Sequence, residues 1–167
     1  MDTQKSIAEL SSELVSILKS EKKKIATAES LTGGMVSEML TAVPGASEVL
    51  ECGVCSYSNR IKHEILGVSP KTLEMYTEYS IQTACEMAEG VRRLSGADIG
   101  VSTTGIAGPS GALEGKPVGF TCIGISTSEK TYAKEFIFGS GSGCERELVR
   151  QLAVLNALSL AAEELRP

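Results

Sequence analysis

The sequence predicts an α/β fold, a three-layer α/β/α sandwich around a mixed, mostly parallel sheet of about five strands. Segments with helical periodicity alternate with short β-type runs, which is typical of a parallel sheet covered by helices. Two β-type runs late in the chain are separated by only three residues, which indicates a hairpin and therefore an antiparallel strand. The length of 167 residues suits one domain with a buried core, and we expect a single domain, 1–167.

The first part of the chain predicts a helix, a strand, a turn and a second helix. Leucine and isoleucine at steps of three and four, with charges between them, predict an amphipathic helix over residues 4–22. A β-type run predicts the first strand at 24–28. The second helix, 34–41, ends before Pro44 and Gly45, because proline and glycine disfavour its continuation.

The middle of the chain predicts a strand and a short helix. Residues 49–58 have a β-like pattern, and Asn59 is a candidate N-cap for a helix over 60–66. Gly67 is expected to end that helix. The Ser-Pro pair that follows predicts only a turn.

The rest of the chain predicts a helix, three strands and a last helix. Ser80 is a candidate N-cap for a helix that ends at Ser95. The mostly apolar run 97–103 predicts a strand that is buried on both faces. The hairpin strands are predicted at 117–127 and 131–138, and the amphipathic last helix at 144–165.

The charge balance argues against nucleic-acid binding. The chain has 16 lysines and arginines against 21 aspartates and glutamates, a formal net charge of −5. Its basic residues are scattered, whereas binding to a phosphate backbone requires a concentrated cationic surface. Aromatic residues make up 4% of the chain, so platforms for base stacking are also few.

The remaining composition predicts a cytoplasmic protein without a membrane partner. No apolar run is long enough to span a bilayer, and the first residues lack the apolar core of a signal peptide. In that compartment the five cysteines are expected to be reduced thiols. Cys52 and Cys55 are expected on opposite faces of a strand. With one histidine the chain has too few ligands for a zinc cluster, so neither a metal nor a cofactor is expected.

The turn T-A-E-S-L-T-G-G, residues 27–34, is the first candidate site. It lies where a strand meets a helix, so its N–H groups can bind an anion and Ser30 is a candidate nucleophile. Gly33 and Gly34 each cost about 1 kcal/mol relative to alanine in a helix, which indicates the close approach of a ligand or another backbone. The alternative is that Ser30 or Thr32 serves only as an N-cap.

Two further loops are expected at the same edge of the sheet, because ligands of open α/β sheets bind beyond the carboxyl ends of strands. Residues 104–111 contain three glycines at threefold spacing, whose amides can converge on an oxygen atom. Residues 139–146 lead to Arg146 at the start of the last helix, where a cation opposes the helix dipole. Arg146 is therefore expected either to bind an anion or to pair with Glu145 or Glu147.

Tyr57 and Lys62 are further candidates, at the end of a strand and in the first turn of the next helix. A lysine can act as the base for a serine hydroxyl only if its pKa is lowered, by burial or by neighbouring positive charge. The alternative is an ordinary solvated lysine. His63 lies about 100° around the helix from Lys62, so we expect it at the surface.

Together these stretches resemble the C-terminal domain family of the competence/damage-inducible protein CinA. The matching motifs are T-A-E-S-L-T-G-G at Thr27, V-P-G-A-S at Val43, Y-S-N-R-I-K-H-E-I-L-G-V at Tyr57, A-E-G at Ala88, T-G-I-A-G-P at Thr104 and K-P-V-G at Lys116. The resemblance implies hydrolysis of nicotinamide mononucleotide to nicotinate mononucleotide and ammonia, in pyridine nucleotide recycling and without a metal. It also implies that the protein binds a small nucleotide substrate and that it forms a homo-oligomer.

The resemblance also assigns roles to residues. Ser30 looks like the nucleophile or the group that orients water, and Lys62 like its proton acceptor, with Tyr57 and Thr104 completing the catalytic group. Arg146 is expected to neutralise the phosphate. The substrate-binding residues that the resemblance implies are Glu29, Thr32, Gly33, Gly34, Gly105, Ala107, Gly108 and Arg146.

The chain departs from the family pattern in three places, and two other functions stay open. Leu31 stands where the family usually has cysteine, Ser110 interrupts a usual Gly-Pro-Gly-Gly, and residues 143–146 replace a usual Gly-Asp-Arg. One alternative is a nucleotide-binding module of low or no turnover, linked to competence or DNA damage. The other is an amidase for a different small amide.

Overall fold

Three layers of secondary structure make up the fold in the computed structural model, which describes residues 3–139 and 145–166. In chain order the elements are α1 (Thr3–Glu21), β1 (Ile25–Glu29), α2 (Met35–Thr41), a 3-10 helix (Ala46–Glu48), β2 (Leu50–Cys55), α3 (Asn59–Leu66), α4 (Pro70–Tyr76), α5 (Ile81–Ser95), β3 (Ile99–Gly105), β4 (Phe120–Ser126), β5 (Thr131–Ile137) and α6 (Arg146–Leu165). The predicted α/β/α sandwich is confirmed.

The sheet is mixed, as predicted, with the strand order β2-β1-β3-β4-β5. β1 pairs in parallel with β2 and β3, and β4 pairs antiparallel with β3 and β5. All strands except β4 therefore run in one direction. Their carboxyl ends meet at one edge, so the segments after Glu29, Cys55, Gly105 and Ile137 leave the sheet side by side.

Helices cover both faces of the sheet. α1, α2 and α6 pack on one face, and α5 packs on the other with α3 and α4 beside it. β1, β3 and β4 are buried along their whole length. The larger core cluster joins residues of the first group of helices to the sheet, among them Leu14, Leu18, Ile99, Val154 and Leu158. No helix in residues 3–139 and 145–166 is long and apolar enough to cross a bilayer.

Two local predictions were wrong, and both concern helix starts. The cap of α3 is Ser58, whose hydroxyl accepts a hydrogen bond from the N–H of Ile61 at 3.3 Å, and Asn59 is already helical. The Ser-Pro pair predicted a turn, but Pro70 begins α4, because proline is well suited to a first helical position. The prediction of Ser80 as the cap of α5 is confirmed.

The other predicted helices and strands are found where the structure describes the chain, with ends that differ from the predicted ones by up to three residues. Side chains along β2 alternate in exposure, which places Cys52 and Cys55 on opposite faces. Four cysteines, at positions 52, 55, 85 and 122, are free thiols. The last helix begins at Arg146, and the predicted start at Cys144 lies outside the described residues, as does most of the Gly/Ser loop before it.

Gly90 on α5 packs against the end of α3. A Cβ atom added at Gly90 would lie 2.0 Å from the carbonyl oxygen of Leu66, so an alanine must push the two helices apart. We expect Gly90→Ala to lower the free energy of unfolding by about 2 kcal/mol, although alanine is the better helix former by about 1 kcal/mol. Urea denaturation with an unchanged m-value measures the loss.

Gln82→Ala is the matched control, since Gln82 is exposed on the same helix. This variant should stay within about 0.5 kcal/mol of the wild type. A Gly90→Ala protein as stable as the control would contradict the packing described here.

Candidate active site

A buried carboxylate holds the turn that follows β1. Glu29 is 1% exposed, although carboxylates are rarely buried without partners. Its oxygens accept hydrogen bonds from the N–H groups of Gly34 (3.0 Å), Val36 (2.9 Å) and Ser37 (2.9 Å) and from the hydroxyls of Thr32 (2.7 Å) and Ser37 (2.9 Å). Amides in the first turn of a helix have no partner within the helix, so Glu29 caps α2.

Contacts with β3 and α6 anchor the same turn. The N–H of Ser30 donates to the carbonyl of Thr103 at 2.9 Å, and the hydroxyls of Thr32 and Thr103 are 2.7 Å apart. Arg150 on α6 donates to the carbonyl of Thr32 at 3.0 Å. The turn that carries Ser30 is therefore held by contacts with α2, β3 and α6. The sequence did not single out Arg150.

Lys62 on α3 contacts Ser30 inside the protein. Its Nζ lies 3.1 Å from the Ser30 Oγ and donates to the carbonyl of Ser56 at 2.9 Å. Lys62 is 1% exposed and Ser30 is 6% exposed, so the alternative of a solvated lysine is wrong. The alternative that Ser30 caps α2 is also wrong, because the Glu29 carboxylate does so.

The surroundings of Lys62 favour its neutral form. Burial lowers the pKa of Lys62 from 10.5 to about 8, and the negative charge of Glu78 partly opposes this shift. An amine with this pKa is neutral in a useful fraction of molecules near neutral pH, and it can then accept the proton of a hydroxyl. His63, by contrast, is exposed as predicted and lies against the carbonyl of Val68 at 2.9 Å.

Arg146 joins two other segments at the rim of the site. Its guanidinium donates to the carbonyl of Gly108 at 2.7 Å and to the phenol oxygen of Tyr57 at 3.0 Å. Within the residues that the structure describes, no carboxylate forms an ion pair with Arg146, and Glu147 pairs with Arg150 instead. The predicted surface pairing of Arg146 is therefore wrong, and the cation stands at the cavity.

These segments enclose a cavity of about 340 Å³, a volume in the range of small-ligand sites. Lys62 and Ser30 lie at its buried end, and Tyr57 and Arg146 lie at its exposed rim. The predicted residues that line it are Ser30, Tyr57, Lys62, Gly105, Ala107, Gly108 and Arg146.

The other predicted residues of the first turn are not among the residues that line the cavity. Glu29 and Thr32 use their side chains on each other and on neighbouring groups. The N–H of Gly33 donates to the carbonyl of Ser30 at 3.1 Å, and that of Gly34 donates to Glu29. These four residues support the turn, and their contact with a substrate stays a prediction.

Thr104 also supports the wall without lining the cavity. Its hydroxyl, fully buried, donates to the carbonyl of Glu78 at 2.6 Å. Glu78 itself lines the cavity, with Tyr79, Leu31 and Asn59. None of these four was predicted as a site residue: Glu78 and Tyr79 lie in no quoted motif, and Leu31 and Asn59 lie in quoted motifs but carry no group that pointed to a role in the site.

Several backbone amides at the cavity are candidate hydrogen-bond donors. Leu31, Ala107 and Gly108 are among the residues that line it, and their N–H groups have no hydrogen-bond partner in the part of the chain that the structure describes. By contrast, the N–H of Ile106 donates to the carbonyl of Phe120. The predicted amides of Ala107 and Gly108, together with that of Leu31, are therefore candidate donors for an oxyanion, whereas the predicted amides of Gly33 and Gly34 donate within the turn.

Comparison with known proteins gives one consistent family. The family model described as the CinA C-terminal domain matches residues 7–165. A relative from Thermoanaerobacter sp. strain X514, whose name places it among competence-damage inducible proteins, is 45% identical over 152 residues. That match covers 91% of this chain and 36% of the relative, and the chain spans about a third of the length of the curated relatives that it matches.

Solved structures share the whole fold. The competence/damage inducible protein CihA from Agrobacterium tumefaciens is 33% identical, with a TM-score of 0.88 and 93% of each chain covered. A competence or damage-inducible protein from Enterobacter asburiae is 33% identical, with a TM-score of 0.90 over 96% of this chain and 98% of that one.

We expect Glu29→Gln to destabilise the protein strongly. The variant places an amide NH2 group among hydrogen-bond donors and leaves some of them unpaired, which should lower the free energy of unfolding by about 3 kcal/mol. Urea denaturation measures the change. Glu38→Gln is the matched control, because Glu38 lies exposed on α2, the helix whose first amides Glu29 binds. Equal stability of the two variants would show that the turn does not need the buried charge.

Proposed function

Because this chain belongs to the CinA C-terminal domain family, we propose that it hydrolyses the carboxamide of nicotinamide mononucleotide to give nicotinate mononucleotide and ammonia. The observation that carries the proposal is the 3.1 Å contact between the buried Ser30 hydroxyl and the buried Lys62 amine. A hydroxyl next to an amine of lowered pKa is a nucleophile with its base, as amide hydrolysis requires.

The two ends of the cavity match the two ends of the substrate. The carboxamide is placed at the buried end, against Ser30, and the phosphate at the rim, against Arg146. A guanidinium has five N–H donors, and Arg146 uses its bonds to Gly108 and Tyr57 to hold its position. Its other donors have no partner among the described residues and are available for phosphate oxygens, for which the planar guanidinium is well suited.

In the first half of the reaction, the Ser30 oxygen attacks the carboxamide carbon while Lys62 takes the hydroxyl proton. The carbonyl oxygen becomes an oxyanion, and the free amides of Leu31, Ala107 and Gly108 are placed to bind it. A positioned base contributes about 10²- to 10⁴-fold to the rate, and one oxyanion donor about 10²- to 10³-fold. Lys62 then returns the proton to the amide nitrogen, the C–N bond breaks and ammonia leaves.

In the second half, water hydrolyses the ester on Ser30. Neutral Lys62 takes a proton from the water, whose oxygen attacks the acyl carbon. The C–O bond to Ser30 breaks, and Lys62 returns the proton to the serine oxygen. The product is the carboxylic acid, which loses its proton to solvent to become the carboxylate, and the free hydroxyl and amine are restored for the next cycle.

We expect ammonia release from nicotinamide mononucleotide to require both Ser30 and Lys62. Ser30→Ala and Lys62→Met should each lower kcat/KM at least about 10²-fold, whereas Lys71→Met, on the exposed surface, should leave it unchanged. Because the base must be neutral and burial lowers its pKa to about 8, wild-type activity should rise with pH through about 8. Tight binding with no ammonia release by the wild type would instead identify a binding module.

We expect Arg146→Met to raise the KM for nicotinamide mononucleotide about tenfold or more, because a charge-assisted contact to phosphate is lost. The KM for the riboside, which lacks the phosphate, should change little. Arg93→Met is the control, since Arg93 is exposed and does not line the cavity. An equal rise in KM for both substrates would contradict a phosphate contact.

A further inference from the structure

A strained backbone precedes the carboxylate in the cavity wall. Thr77 has φ 69° and ψ 170°, a combination that is rare for residues other than glycine and especially unfavourable for a β-branched one. The next residue is Glu78, which lines the cavity. Backbone strain of this kind persists only where surrounding contacts impose it, and it concentrates at functional sites.

Hydrogen bonds from residues 79–83, Thr104 and Lys116 impose this conformation. The Thr77 carbonyl accepts from Ser80 (3.1 Å) and Thr83 (2.8 Å), the Thr77 hydroxyl accepts from Lys116 (2.9 Å) and from the N–H of Tyr79 (3.2 Å), and the Glu78 carbonyl accepts from Thr104 (2.6 Å). The fold therefore holds the backbone of Glu78 firmly at the cavity. This also gives Thr104 a place in the site, as a positioning residue behind Glu78.

Among the described residues that line the cavity, Glu78 is the one with a carboxylate. No lysine or arginine of the described residues lies within ion-pair distance of it. Burial, together with the negative charge of Glu78, raises the pKa of the neighbouring Tyr79 phenol. A half-buried carboxylate that forms no ion pair among the described residues is complementary to a positive charge on a ligand.

We propose that Glu78 determines the specificity of the cavity for an amide carried on a positively charged ring. The inference rests on the proposed function, whose substrate contains a pyridinium. The quaternary nitrogen of that ring has no N–H group, so it is recognised by charge and by aromatic faces rather than by a hydrogen bond. Glu78 supplies the charge, and Tyr57 and Tyr79 supply aromatic rings in the same lining.

Calorimetric binding to the Ser30→Ala protein tests the inference without turnover. The two ligands are nicotinamide mononucleotide and its reduced form, whose dihydropyridine ring is uncharged. We expect the cationic ligand to bind about tenfold more tightly. Adding Glu78→Gln should weaken its binding about tenfold and leave the reduced ligand unaffected, because only a charge is removed. Glu78→Asp, which keeps the charge, should preserve the preference.

Glu114→Gln is the matched control, since Glu114 is exposed and outside the lining. An equal loss of affinity for both ligands in Glu78→Gln, or no loss for either, would overturn the inference. Preferential binding of the cationic ligand, combined with no ammonia release by the wild type, would reject the proposed reaction and leave the role of Glu78 standing. Failure of both ligands to bind at millimolar concentration would overturn both.

Discussion

The site depends on the burial of the Glu29 carboxylate. A carboxylate loses its hydration when it is buried, and this cost is offset only if its oxygens accept enough hydrogen bonds. The donors that meet it belong to Thr32 and to the first residues of α2. The turn after β1 therefore has little freedom, and since α2 is already capped, the hydroxyl of Ser30 is available for contact with Lys62.

Lys62, unlike Glu29, is buried among groups that do not offset the cost of burying its charge. Among the described residues, its polar contacts are the hydroxyl of Ser30 and the carbonyl of Ser56, and neither is an anion. These groups stabilise an ammonium less than a carboxylate would, so burial shifts the lysine toward its neutral form. The fold thus contains one buried acid whose partners satisfy its charge and one buried amine whose partners do not. The amine is the group whose protonation can change during a reaction.

Much of the fold was predictable because local chemistry and tertiary packing agree. The cap at Ser80, the end of α3 at Gly67 and the double-sided burial of β3 follow from residue type and pattern. α4 was missed because proline can open either a turn or a helix, and its packing against α5 decides between them. The N-cap of α3 was misplaced by one residue, since serine and asparagine cap helices almost equally well.

By itself, the sequence determined the order of helices and strands, the loops that gather at one edge of the sheet, and the motifs that place the chain in its family. Only the tertiary structure decided which residues of those loops face the cavity. The turn after β1 is oriented by hydrogen bonds to Thr103 and Arg150, which are distant along the chain. Glu78 is held at the cavity by the contact of its carbonyl with Thr104, and Thr77, the residue before it, is held by a contact with Lys116. Side-chain direction in a loop depends on such long-range contacts, and a local pattern of residues does not contain them.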